Sequence, residues 1–134
     1  MSCVLRIFGA DLDIDALLPR LSFAPIVVFR RGEPVAGRGG PVRRVCGANF
    51  SVSDADLGDL ARQIADARQF LQTHHLALEA IRAFAGVDAP TLDFAVAAGA
   101  KPIARSATFP ADMLQTMGAL GLALEISTYT ISDD

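Results

Sequence analysis

The sequence predicts a single α+β domain, residues 1–134, with helices packed on one face of a largely antiparallel sheet. Three observations carry that reading. A unit of acidic start, apolar helical stripe and strand-like run occurs near each end of the chain. Asp13 precedes Ile14, Leu17, Leu18 and Leu21, with Ile26 to Phe29 following; Pro110 and Asp112 precede Met113, Leu114, Met117 and Leu120, with Leu122 to Tyr129 following. Between these units lies a long stretch of helical apolar periodicity. Finally, 134 residues that are 51% hydrophobic and 20% charged suffice for one buried core, whereas a disordered chain is poorer in aliphatic residues.

The elements follow in order. Val4 to Phe8 alternates Leu5 and Ile7 against Val4, Arg6 and Phe8, and Gly9 and Asp11 interrupt it, so a central strand is expected. Asp13 is a helix-capping residue, and Ile14, Leu17, Leu18 and Leu21 share one helical face; Pro19 limits that helix to about two turns. Pro25 introduces the β-branched run Ile26 to Phe29. Gly32 to Pro41, with four glycines and two prolines, reads as an exposed, mobile loop. Asn49 to Val52 reads as a third strand, approached irregularly through Val45, Cys46 and Gly47. Ser53 and Asp56 resemble a helix cap before Leu57, Leu60, Ala61, Ile64 and Leu71, and the apolar pattern continues to Phe84 with a break expected near Thr73 to His75. Gly86 and Pro90 are stop signals, Thr91 to Ala98 is a strand, Gly99 and Pro102 form a turn, and Ile103 to Ala107 reads as a short edge strand. The closing unit is a helix from Pro110 to about Gly118 and a half-buried strand, Leu122 to Tyr129. This order suits a ferredoxin-like variant.

Charge and cysteine usage exclude several classes of function. A net charge of −3 opposes general attraction to nucleic acid, and no apolar run is long enough to span a bilayer. Met1 to Phe8 lacks a basic segment followed by a signal-type apolar core, so a cytoplasmic location is expected. Cys3 and Cys46 form neither a disulfide framework nor a zinc knuckle; both read as buried thiols, and no cofactor is implied.

Leu5, Gly9, Asp11, Leu12 and Asp13, then Leu17 and Leu18, the Arg31-Gly32-Glu33-Pro34 turn, and the helix ending at Gly118 to Gly121 before Leu122 to Tyr129 together resemble the bacterial domain-of-unknown-function family numbered forty-two seventy-nine. Thr73 to Pro90 is longer here than in the family's pattern. The resemblance implies the fold and a bacterial source. It implies no activity and no catalytic residue.

Four residue groups invite a chemical reading. Arg30, Arg31, Arg38, Arg43 and Arg44 surround glycines whose bare amides approach an anion easily, and guanidinium forks suit carboxylate or phosphate; no lysine and hydroxyl residue complete a phosphate loop. His74 and His75 are the only histidines, and Glu79 stands four residues after His75, but two ligands make a weak metal site, and a helix-end pair explains them better. Asp11, Asp13 and Asp15 lack the downstream glycine and glutamate of a calcium loop, which leaves helix capping. Cys46 beside Arg43 and Arg44 has no histidine near in sequence, and no Gly-x-Ser-x-Gly elbow unites a nucleophile with a base. The expectation is a non-enzymatic protein-interaction or immunity-type module whose partner is another protein or a second copy, for which Leu122 to Tyr129 and Ile103 to Ala107 offer sheet-edge material. The alternative is a regulatory domain that closes residues 32–44 over a small anionic metabolite.

Overall fold

The computed structural model describes residues 1–35, 39–98 and 106–130. Among them five strands form one sheet: β1 (Cys3–Gly9), β2 (Val27–Phe29), β3 (Cys46–Ser53), β4 (Asp88–Ala98) and β5 (Ala123–Thr130). Their order across the sheet is β2-β3-β1-β4-β5; β1 pairs antiparallel with β3 and β4, β2 antiparallel with β3, and β5 parallel with β4. Four helices connect them, α1 (Ile14–Leu17), α2 (Leu60–Thr73), α3 (His75–Ala83) and α4 (Ala111–Ala119). The fold is thus α+β with a mostly antiparallel sheet.

Alternation decides which face is covered. On β1 Cys3, Leu5 and Ile7 are buried, whereas Val4, Arg6 and Phe8 are only half-buried. Register extends the buried row, since Leu5 stands opposite Phe50 and Leu92, Ile7 opposite Ala48, and Cys3 opposite Phe94. These side chains pack in one cluster with Ile14 and Leu17 of α1, Ile64, Ala67 and Leu71 of α2, Leu78 and Ile81 of α3, and Met113 and Met117 of α4. Each helix contributes residues three or four positions apart, the spacing of one helical face.

Several boundaries follow from local chemistry. Asp13 caps α1, accepting from the Ala16 amide at 3.2 Å, and Pro19 sits in a 3₁₀ turn at Leu18–Arg20, so the two-turn expectation holds. α2 begins later than the Ser53 and Asp56 reading had it. Asp59 is the cap, taking the Arg62 amide at 3.0 Å, because the Ser53 hydroxyl is already engaged, donating to Asp66 at 2.7 Å and accepting from the Ala55 amide. α2 ends at Thr73 and α3 starts at His75, where the break was expected; His74 caps both. β3 runs back to Cys46, and β4 starts at Asp88 with Pro90 inside it. Pro90 is tolerated where the register with β1 slips between Arg6 and Phe8, at a bulge that asks no amide of it. The arms of the 32–41 segment are not an open loop, since the Gly32 amide donates to Arg43 O, the Val35 amide donates to Pro41 O, and Pro34 bridges Val42. Residues 36–38, and the expected turn and edge strand at 99–105, lie outside the described residues, and Ser106 and Ala107 are not in a strand.

Glycine is required where two backbones touch. A Cβ on Gly9 would sit 1.8 Å from the carbonyl oxygen of Gly86, which itself has φ +90 against the Asp11 carbonyl. The end of β1 and the turn before β4 are therefore in direct backbone contact. Gly9→Ala is expected to lower unfolding free energy by about 2 kcal/mol or more, because the obstacle is backbone and not a flexible side chain. Urea denaturation checks this, and a loss below about 0.5 kcal/mol, the size of an ordinary surface change, contradicts it.

Candidate functional site

The last strand and its flank leave several large apolar side chains open to other molecules. α4 follows Pro110, whose extended backbone precedes the first turn, and carries Asp112 where a carboxylate favours the helix start. Gly121, at φ +69, turns the chain after α4, and the Leu122 amide donates back to Met117 O at 2.8 Å. Leu122 is buried and anchors the turn. Beyond it β5 lies alongside β4 over its whole length, Leu124 beside Leu92, Ile126 beside Phe94 and Thr128 beside Val96, and so extends the helix-bearing face.

The expected half-burial does not occur. Leu124, Ile126 and Tyr129 are 41%, 50% and 50% exposed, and every residue of β5 except Ser127 is exposed. Periodicity identified the inward row correctly, but an edge strand has a neighbour on one side only, and the buried row of α4, Met113 and Met117, does not shelter β5. Leu114 of α4 is exposed as well. Among the described residues no strand lies on the outer side of β5, which thus combines an open row of backbone donors and acceptors with the apolar side chains of Leu124 and Ile126, the two ingredients of strand addition.

The opposite face of the sheet carries a polar rung. Arg6 of β1 donates to Asp93 Oδ2 of β4 at 2.6 Å, and Ser127 of β5 donates to Asp93 Oδ1 at 2.7 Å. The Asp93 side chain is only 5% exposed, and both its oxygens are satisfied, as a buried carboxylate requires. This rung ties three strands and fixes the register of β5.

The arginines selected from sequence separate into different tasks. Arg30 is bound by Asp15 through two hydrogen bonds, Nε to Oδ2 at 3.0 Å and Nη2 to Oδ1 at 2.7 Å, and Arg31 lies 3.8 Å from Asp11. The hydrogen bonds from Arg30 hold the Asp15 carboxyl below the usual carboxylate range. Arg43 places its guanidinium 4.7 Å above the Phe29 ring, and Arg44 is exposed. Arg38 lies outside the described residues. Asp11, Asp13 and Asp15 therefore serve as two ion-pair partners and a helix cap.

The histidines also part company. His74 is held by Ser22, whose Oγ lies 2.8 Å from Nδ1, and is packed between Phe23 and Phe70 at ring separations of 4.9 and 4.6 Å. His75 Nε2 lies 3.3 Å from Glu79 Oε1. The Ser22–His74 contact spans 52 residues, so no local motif announced it. Cys46 is half-buried, not buried as expected: it opens β3 opposite Gly9, where Sγ accepts from the Arg31 amide at 3.3 Å. Among the described residues no three His, Cys, Asp or Glu side chains are grouped to hold a metal ion.

No family model, curated protein or solved structure matches the chain. The likeness to the family numbered forty-two seventy-nine thus rests on the residues quoted above. Sequence reasoning missed a cleft of about 510 Å³ at the end of β3, lined by Ser51, Asp54, Asp56, Asp59, Arg62 and Asp66. Three of its carboxylates already have structural work, Asp59 as the α2 cap, Asp66 as the acceptor for Ser53, and Asp54 as the acceptor for Ser51 and the partner of the Met1 amine. Its signal was the run of aspartates from 54 to 59. No helix among the described residues is long and apolar enough to cross a membrane.

The two thiols should behave differently. Burial, with Asp93 and Asp66 adding to it, pushes the Cys3 thiol up to about 12. One thiol, Cys46, is therefore expected to react with a maleimide in the native protein and the second only on unfolding; equal rates contradict the burial of Cys3. The native state holds the Cys3 proton more tightly than the unfolded chain, so this contribution to stability is fully present below the ordinary value of 9.0 and is lost as pH rises towards about 12. Denaturation of Cys3→Ala across that window should show a shallower alkaline fall than the wild type. Parallel curves would contradict it.

Proposed function

We propose that this protein acts by contact, as a non-enzymatic protein-interaction module whose docking element is the outer edge of β5. Its frame is read as ferredoxin-like. The order β2-β3-β1-β4, with α1 leading from β1 towards β2 and α2 and α3 leading from β3 to β4, supports that description, and α4 with β5 extends it by one unit. Such frames host many unrelated functions, so the functional reading stands on the surface and not on the frame.

The observation that carries the reading is the exposure of Leu124, Ile126 and Tyr129 along a strand of eight residues that, among the described residues, is paired on its β4 side alone. Edge strands are ordinarily blunted by charge, proline or shortness. The β2 edge follows that practice, with three residues set between Pro25 and Arg30, Arg31 and Pro34, whereas β5 has one charged residue, Glu125, and no proline. Shielding one edge and leaving the other open is the arrangement a docking strand needs.

A photo-crosslinking amino acid placed at Ile126 or Tyr129, in cells of the native host, tests this. Leu76 on α3, 81% exposed and far from β5 in the chain, is the control. Polypeptide adducts are expected from the β5 positions and not from position 76. Adducts from neither β5 position contradict the reading.

A further inference from the structure

We propose that the occupant of the β5 edge is a second copy of this chain, paired antiparallel about a twofold axis that passes through Ile126. This rests on the reading of β5 as a docking strand and names its partner.

The geometry of the strand limits the choices. Directly opposite residues of an antiparallel pair project to the same face of the sheet. Leu124 and Ile126 lie on the helix-bearing face through their pairing with Leu92 and Phe94. Two copies merge these apolar rows only when their helix-bearing faces coincide, and that requires the axis to fall on a residue, not between two. Centred on Glu125, the pair would set two carboxylates against each other. Centred on Ser127, it would leave Ile126 opposite Thr128 of the other copy and Leu124 opposite Thr130. Centred on Ile126, it sets Ile126 against its own copy, Leu124 against Thr128, Glu125 against Ser127 and Ala123 against Tyr129. That register uses seven of the eight residues of β5, joins the apolar row across the axis and opposes no like charges.

The other edge favours a closed pair over head-to-tail growth, and charge at β5 does not oppose it. The chain carries a net charge of −3, so two copies repel in general, and β5, with Glu125 as its one charge, is a surface where that repulsion is small. The alternative, β5 of one copy on β2 of the next, meets a three-residue strand flanked by Pro25 and Arg30. An isologous β5 contact closes on itself and gives a continuous ten-stranded sheet, twice the five strands described here.

Engineered cysteines in the purified 134-residue chain carrying Cys46→Ser read the register, with diamide as oxidant. Directly opposed Cβ atoms lie about 4.5–5.5 Å apart, close to disulfide reach. Ile126→Cys is expected to form a linked dimer about ten times faster than Leu124→Cys alone, and Leu124→Cys mixed with Thr128→Cys should give the crossed dimer. Ile126→Lys, at an exposed position, should keep the melting temperature measured at high dilution while shifting sedimentation from dimer to monomer. A wild-type chain that sediments as a monomer at about 100 μM, or Ile126→Cys linking no faster than Leu124→Cys, overturns the proposal. Should host crosslinking from Ile126 then yield a different polypeptide, the second copy is wrong and the docking strand stands; with no adduct, both fall.

Discussion

Everything in this molecule depends on keeping β1 dry on one side and electrically neutral on the other. Leu5 and Ile7, both 0% exposed, lie at the middle of the row on which α1, α2, α3 and α4 converge. Burying a side chain of that size contributes about 1.5–3 kcal/mol. The Arg6–Asp93 pair on the reverse side is partly solvent-screened, because the Arg6 side chain is 42% exposed, and an ion pair of that kind contributes about 1 kcal/mol or less. The apolar row therefore holds the sheet together, and the ion pair serves chiefly to prevent an unpaired charge under it. Backbone contact between Gly9 and Gly86 fixes where β1 stops.

β5 stands outside that arrangement. Among the described residues it pairs with β4 alone and its one side-chain polar tie is Ser127 to Asp93, while its anchors Met113, Met117, Leu120 and Leu122 lie before it in the chain. The rung orients the strand, while the helices leave Leu124 and Ile126 uncovered. A strand held in register yet open at its outer edge is preorganised for strand addition, since the cost of ordering it has been met by β4. Several of the polar groups that sequence reasoning raised as chemistry are engaged in structure: Arg30 with Asp15, Arg31 with Asp11, Arg43 on Phe29, and His74 between two phenylalanines.

Much of the fold was legible because its signals are local. Asp13 before an apolar stripe, the alternation of Val4 to Phe8, and the interruption around Thr73 to His75 all depend on neighbours within one or two turns. What was not legible depends on distant partners. Ser53 reads as a cap for α2, but its hydroxyl is committed to Asp66, thirteen residues on, and Asp59 caps the helix instead. Pro90 reads as a stop until the bulge opposite Arg6 and Phe8 gives it a place in β4. The exposure of β5 was invisible for the same reason: alternation reports which residues face the helices, not whether a helix is there. The open edge, the cleft beside Asp54 and Asp66, and the Ser22–His74 contact are products of topology.

The central claim, that β5 has a free outer edge waiting for another strand, is tested most directly by amide hydrogen exchange followed as a function of protein concentration. At high dilution the amides of β1 should be among the slowest in the chain, while β5 shows alternation, with amides bonded to β4 protected and outward ones exchanging freely. As concentration rises, the outward amides around Ile126 should become protected and those of β2 should not change. Full protection of β5 at the lowest concentration would contradict the free edge, and outward amides that exchange at the same rate at every concentration would contradict a second copy as its occupant.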